Sequence, residues 1–149
     1  HLSSAPSNGS KLAKVGAVPI LLGIAQDERS KIGSKALVTL CNIAATSEGR
    51  KALFDANAVA TLVDILAKHQ KNRSTASEEM QEQAVAVLLL LSQNNLRFVS
   101  LAMQAGAVDL LVSLCEHGNS RAKEKASTLL NIIREISSNE EECSDSILP

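Results

Sequence analysis

Aromatic residues are almost missing from this chain, which holds two Phe and neither Tyr nor Trp. A platform on which nucleic-acid bases could stack is therefore lacking. A sheet core, which favours β-branched and aromatic side chains, is a poor fit as well. Charge of one sign is also missing: the formal net charge is −1, so there is no basic footprint for nucleic acid. Long hydrophobic runs are absent. The longest, Ala84 to Leu91, falls well short of the roughly 18 residues a membrane-crossing helix requires, and no membrane insertion is expected. Cysteine is sparse, with three in the chain. Cys41 and Cys115 sit within apolar runs and Cys143 in a polar one, which implies no disulfide framework and a reducing compartment, cytoplasm or nucleus. The chain begins at His1 without a Met and reads as a piece of something longer.

The signatures of catalysis are missing too. There is no Gly-rich phosphate loop, Walker sequence or nucleophile elbow. His69 and His117 fall at the ends of apolar helical segments, where a polar or cationic group meets the negative end of the helix dipole, and neither has a second ligand at zinc spacing. Cys41 has no nearby His and reads as a small core residue. Glu140-Glu141-Glu142 lacks the alternating oxygens and the Gly of a calcium loop. The expectation is a chain without catalytic residues, metal, cofactor or small-molecule substrate, and not itself an enzyme.

What the chain does contain is one helix pattern written three times. Ala36, Leu40 and Ile43, then Ala84, Leu88 and Leu91, then Ala126, Leu130 and Ile133 repeat a small residue, a Leu four later and a large aliphatic three beyond. On a helix these share one face, fit to lie against another helix. The anchoring alanines are 48 and then 42 residues apart, close to the roughly 40–47-residue period of stacked-helix arrays.

Residues 1–9 are rich in Ser, Pro, Asn and Gly and are expected to be loose. Ser10 to Val15 reads as the last turns of a helix, and Gly16-Ala17-Val18-Pro19 opens another that runs to about Gln26. After a turn at Asp27 to Ser30, the first inner helix covers about Lys31 to Ala45. Thr46 or Ser47 caps a short helix to about Ala56. Asn57-Ala58-Val59 replays Gly-Ala-Val with Asn at a position of positive φ, and a helix follows from Val59 to Lys68. His69 to Ser77 is a polar insertion, expected to be mobile, that accounts for the longer spacing. The second inner helix starts at Ser77 and ends near Gln93. In the third unit Asn94 caps Leu96 to Gln104, Gly106-Ala107-Val108 turns the chain into Asp109 to Glu116, and Ser120 caps an inner helix to about Ser137. Residues 138–149 are expected to be an acidic disordered tail.

A short, a medium and a long helix per unit, with Gly or Asn before Ala-Val, resemble armadillo repeats over about residues 11–137. Val15 to Ala25, Thr46 to Val59 and Ala105 to Glu135 carry a closer resemblance to the C-terminal armadillo arrays of plant U-box proteins. Lys123-Glu124-Lys125-Ala126, Leu129-Leu130 and Ile133-Arg134 match the last unit of such arrays; Asn57 for Gly, Asp109 for Pro and the insertion after His69 depart from it. The resemblance implies an all-α, right-handed α-solenoid of about three armadillo repeats, spanning units of about 10–45, 46–93 and 94–137. It also implies a protein-interaction module, the substrate- or partner-binding part of an E3 ubiquitin ligase whose U-box lies outside these residues, or alternatively a non-catalytic armadillo scaffold. An N-terminal end left open to solvent would expose apolar edges and weaken the isolated piece.

Inner helices of such an array line an extended groove. The positions offset from the core face are Lys31, Lys35, Val38 and Asn42 in unit one. In unit two they are Glu79, Gln83, Ala86 and Leu90, and in unit three Arg121, Lys125, Thr128 and Ile132. Leu90 and Ile132 are apolar where a merely solvated face would be polar. Nuclear-import receptors of this fold place Trp with an Asn four residues later on the inner helix. Here Val38, Ala86 and Thr128 hold the Trp places and only Asn42 supplies the Asn, so import-cargo binding is not expected. Nor is the long basic trough of catenin-type scaffolds reproduced, because the ends are basic and the middle carries Glu79. An extended protein segment with acidic and apolar residues complements that distribution.

Overall fold

The computed structural model describes residues 16–27, 29, 31–70, 74–93 and 95–147, with side chains through residue 138. Within these residues every regular element is an α-helix: α1 (Ala17–Gln26), α2 (Gly33–Ala44), α3 (Ser47–Asp55), α4 (Ala58–His69), α5 (Thr75–Ser92), α6 (Leu96–Gln104), α7 (Ala107–His117) and α8 (Ser120–Ile147). The expected loose segment 1–9 and the helix over 10–15 lie outside the described residues. The second unit is α3–α4–α5 and the third is α6–α7–α8, while α1 and α2 are the middle and inner helices of the first.

Helix α5 is the centre of the stack. It packs against α2 on one side and α8 on the other, and also against α4 and α6. The nine repeated positions explain why. Ala36, Leu40 and Ile43, Ala84, Leu88 and Leu91, and Ala126, Leu130 and Ile133 are all buried in one continuous core with Leu37, Leu62, Leu66 and Leu111. Each fully buried Leu or Ile contributes about 1.5–3 kcal/mol relative to exposure. Burial of one face of each inner helix therefore drives the array, with its alanines letting the helices approach.

Each middle helix is entered through a residue in the left-handed region: Gly16 at φ 77°, Asn57 at φ 57° and Gly106 at φ 85°. The chain reverses there between two helices, and a β-branched residue could not follow it. The corner between α2 and α3 is tighter still. The Thr46 hydroxyl donates to the Ile43 carbonyl and accepts from Gly49 N–H, both at 2.9 Å. This folds α3 so closely back on α2 that a Cβ at position 49 would penetrate the Ile43 carbonyl oxygen.

Several boundaries differ from the sequence reading. Helix α6 is capped by Asn95, whose side chain accepts from Arg97 N–H at 3.1 Å, and not by Asn94, which lies outside the described residues. Helix α8 is capped by Asn119, which accepts from Ala122 N–H at 2.8 Å, so Ser120 is already helical. Helix α5 begins at Thr75, with Ser74 accepting from Ser77 N–H at 3.2 Å. Ser77, read as its start, is instead buried in the first turn, and its hydroxyl lies 2.8 Å from His69 Nδ1. With Gln81 donating to the His69 carbonyl, the insertion is pinned at both ends. Residues 71–73 of the insertion, which was expected to be mobile throughout, lie outside the described residues. Finally, α8 continues to Ile147, where an acidic disordered tail was expected from 138. No Gly or Pro interrupts Ser120 to Ile147, and adding residues to a packed helix avoids the cost of nucleation.

Candidate partner-binding face

The solvent side of α2, α5 and α8 is the candidate site, because stacking has used their other side. Each inner helix exposes every third or fourth residue along one stripe. On α2 the stripe carries Val38, 44% exposed, and half-buried Asn42; Lys35 is exposed, and so is Lys31 just ahead of the helix. On α5 Glu79 is exposed, whereas Gln83, Ala86 and Leu90 are half-buried. On α8 Arg121 and Thr128 are exposed, and Lys125 and Ile132 are half-buried. None of the twelve is enclosed in the core.

The sequence reading missed the residue that orders this face. Glu82 was assigned no role, yet it lies three residues after Glu79 and four before Ala86, on the same stripe. Its side chain is only 9% exposed and faces α8, with Oε1 3.5 Å from Lys125 Nζ and 3.8 Å from Arg121 Nη1. The expectation of a basic end at Arg121 and Lys125 is corrected accordingly. The Lys125 charge is met by a carboxylate from the neighbouring unit, and Arg121, 79% exposed, keeps most of its surface in water. Three-and-four spacing was the available signal; what it could not give was the direction in which Glu82 turns.

Electrostatics at the α2 end follow from burial. Desolvation pushes the Cys41 thiol up from 9.0 to about 11, with the positive charge of Lys125 acting in the opposite sense. Cys41 is thus a neutral, half-buried packing residue. His117, at the end of α7, lies 3.7 Å from Glu116, and His69 at the end of α4 is held by Ser77. Among the described residues no three His, Cys, Asp or Glu side chains are grouped to hold a metal ion.

At the other end, Ile132 opens into a cavity of about 740 Å³ shared with Leu96, Glu135 and Ile136. Ser92 also lines it, and its buried hydroxyl oxygen has no hydrogen-bond partner among the described residues. Leu96 is 63% exposed at the cavity edge. The face therefore runs from Lys31 and Lys35 at the start of α2, past the Glu82 cluster, to a hollow of mixed polarity between the C-terminal end of α5, the start of α6 and the middle of α8.

Known proteins resemble this chain in both architecture and sequence. Residues 1–146 match the family described as the plant U-box protein ARM repeat region. The chain is 43% identical over 138 residues to U-box domain-containing protein 38 of Arabidopsis thaliana, an alignment covering 91% of this chain and 24% of that protein. The chain thus spans about a quarter of that relative's length. Among solved structures, a computationally designed armadillo repeat protein for modular peptide recognition superposes with a TM-score of 0.76 at 25% identity, covering 89% of this chain and 53% of its own. A designed armadillo repeat protein in complex with the peptide (KR)4 does so with a TM-score of 0.72, also at 25% identity and over 89% and 53% of the two chains. The fold is an armadillo α-solenoid, and the chain belongs to the ARM repeat region of plant U-box proteins.

Proposed function

We propose that the face formed by α2, α5 and α8 binds an extended segment of a partner protein. In the longer U-box protein, this would hold that partner for ubiquitin transfer in the cytoplasm or nucleus. The observation that carries the reading is the apolar material on a solvent-facing stripe: Val38 at 44% exposure, half-buried Leu90, and Ile132 at the mouth of the hollow. A stripe that served only solvation would be polar. The segment that fits is acidic towards the α2 end, opposite Lys31 and Lys35, with an apolar side chain against Leu96, Ile132 and Ile136 at the hollow. It differs in charge from the Lys- and Arg-containing peptide held by the designed neighbour, because exposed lysines here repel such a peptide.

The test has two arms. Full-length protein is incubated with E1, a panel of E2 enzymes and ATP, and ubiquitin chains on the protein support the ligase part; silence across the panel moves the reading to a non-catalytic scaffold. Separately, a peptide library is selected on this chain. Enrichment of acidic-apolar peptides that is lost on Val38→Glu and Ile132→Glu supports the binding face, and enrichment indifferent to both substitutions rejects it.

A further inference from the structure

The two phenylalanines of the chain, its only aromatics, meet outside the proposed binding face. Phe54 on α3 and Phe98 on α6 are in edge contact, ring centroids 5.9 Å apart at 85°. Phe98 is buried, whereas Phe54 is 42% exposed. Beside them is a second cavity, of about 340 Å³, between the short first helices of units two and three, lined also by Arg50, Lys51 and Arg97. Its described lining carries three cations and no carboxylate. In a chain whose formal net charge is −1, that concentration is local.

We infer that this cavity is a second recognition site, for a phosphoserine or phosphothreonine side chain on a partner protein. Arg50 is half-buried and held, its Nη1 donating to the Ala44 carbonyl at 3.0 Å, which fixes the guanidinium while leaving other N–H groups to donate. Lys51 and Arg97 are exposed and supply charge from both walls. A phosphoryl group brings a charge of roughly −1.5 to −2 and three acceptor oxygens, which suits a cluster of three donors better than a single carboxylate does. Arginine clusters are a recurring means of reading phosphorylated motifs. The exposed Phe54 face adds apolar surface for the peptide flanking the phosphoryl group. A bare inorganic ion would leave that surface unused.

The experiment uses this chain and two immobilised peptide pools with a fixed central Ser or Thr, one phosphorylated and one not, at physiological salt. Binding at least about tenfold tighter to the phosphorylated pool is expected, given that charged hydrogen-bonded contacts of about 1.4 kcal/mol correspond to a factor of ten. Lys51→Glu combined with Arg97→Glu, both at exposed positions, should remove that preference while leaving the melting temperature near that of the parent. Arg50→Lys should weaken it less than the double change. Equal binding of the two pools, or a preference that survives the double charge reversal, overturns the assignment. So does capture of vesicles containing phosphoinositide in the absence of any phosphopeptide preference, which would assign the cavity to a membrane headgroup.

Discussion

The Glu82 carboxylate of α5 lies 3.5 Å from the Lys125 ammonium of α8, so one unit supplies the counter-charge for the next. Glu82 is nearly enclosed and Lys125 is 32% exposed. Removing the lysine therefore leaves a carboxylate with little access to water and only the more distant, solvated Arg121 as counter-charge. Lys125→Met is expected to cost about 1–2 kcal/mol, between the values typical of exposed and of fully buried pairs. Arg121→Ala should cost under about 0.5 kcal/mol, because that partner is mostly solvated. Urea denaturation of the two variants checks this; equal losses would mean that burial of the pair does not govern its worth.

Gly49 has the least room for a side chain of the glycines in the described residues. Its missing Cβ is the room occupied by the Ile43 carbonyl, and backbone cannot swing aside as a side chain does. Gly49→Ala should lose at least about 3 kcal/mol, measured by thermal or urea unfolding. A loss below about 1 kcal/mol would mean that α2 and α3 separate at little cost.

Asn57 stands where the equivalent turns use Gly, with φ 57°. Asn57→Gly should leave stability unchanged or raise it by a few tenths of a kcal/mol. Asn57→Ala should lower it by about 1 kcal/mol, since a Cβ without a local hydrogen-bonding group is disfavoured there. The sign difference between the two substitutions is the readout, and a stabilising alanine would be incompatible with this backbone.

Cys41 makes stability depend on alkaline pH. The unfolded thiol ionises near 9.0 and the folded one near 11, so the unfolded chain releases its proton first. The stabilising contribution is complete below about pH 9 and is lost as pH rises towards 11. Over that window the parent should lose about 2 kcal/mol more than Cys41→Ala does, as read from urea midpoints. Parallel pH profiles for the two proteins would mean that the thiol is not desolvated.

Much of the fold was legible because each unit writes the same instruction. The Ala-Leu-Ile spacing marked the buried faces of α2, α5 and α8, and Gly16, Asn57 and Gly106 marked the left-handed entries. The capping residues were less legible. Asn95 and Asn119 do what was ascribed to Asn94 and Ser120, since adjacent residues with similar side chains compete for one cap and only backbone geometry decides. The candidate face was readable as a stripe of positions, but its chemistry was not. Whether Lys125 is free or paired depends on where Glu82 turns, and that is set by the approach of α8 to α5. The cavity beside Phe54 and Phe98 was invisible for a related reason: 40 residues separate its two walls, and neither wall alone has an unusual charge.

The two joints of the inner stack are built from different materials. Between α2 and α5, Gly33 leaves space for the Met80 sulfur, which would lie 3.1 Å from a Cβ there; between α5 and α8, Glu82 grips two cations. Dissolved ions leave thioether contact untouched, and at the second joint they reach chiefly the solvated Arg121, because an enclosed ion pair is screened far less than exposed charges. Added salt therefore loosens the Arg121 contact and leaves the Glu82–Lys125 contact in place, so the spacing of α5 and α8 stays set by the enclosed pair.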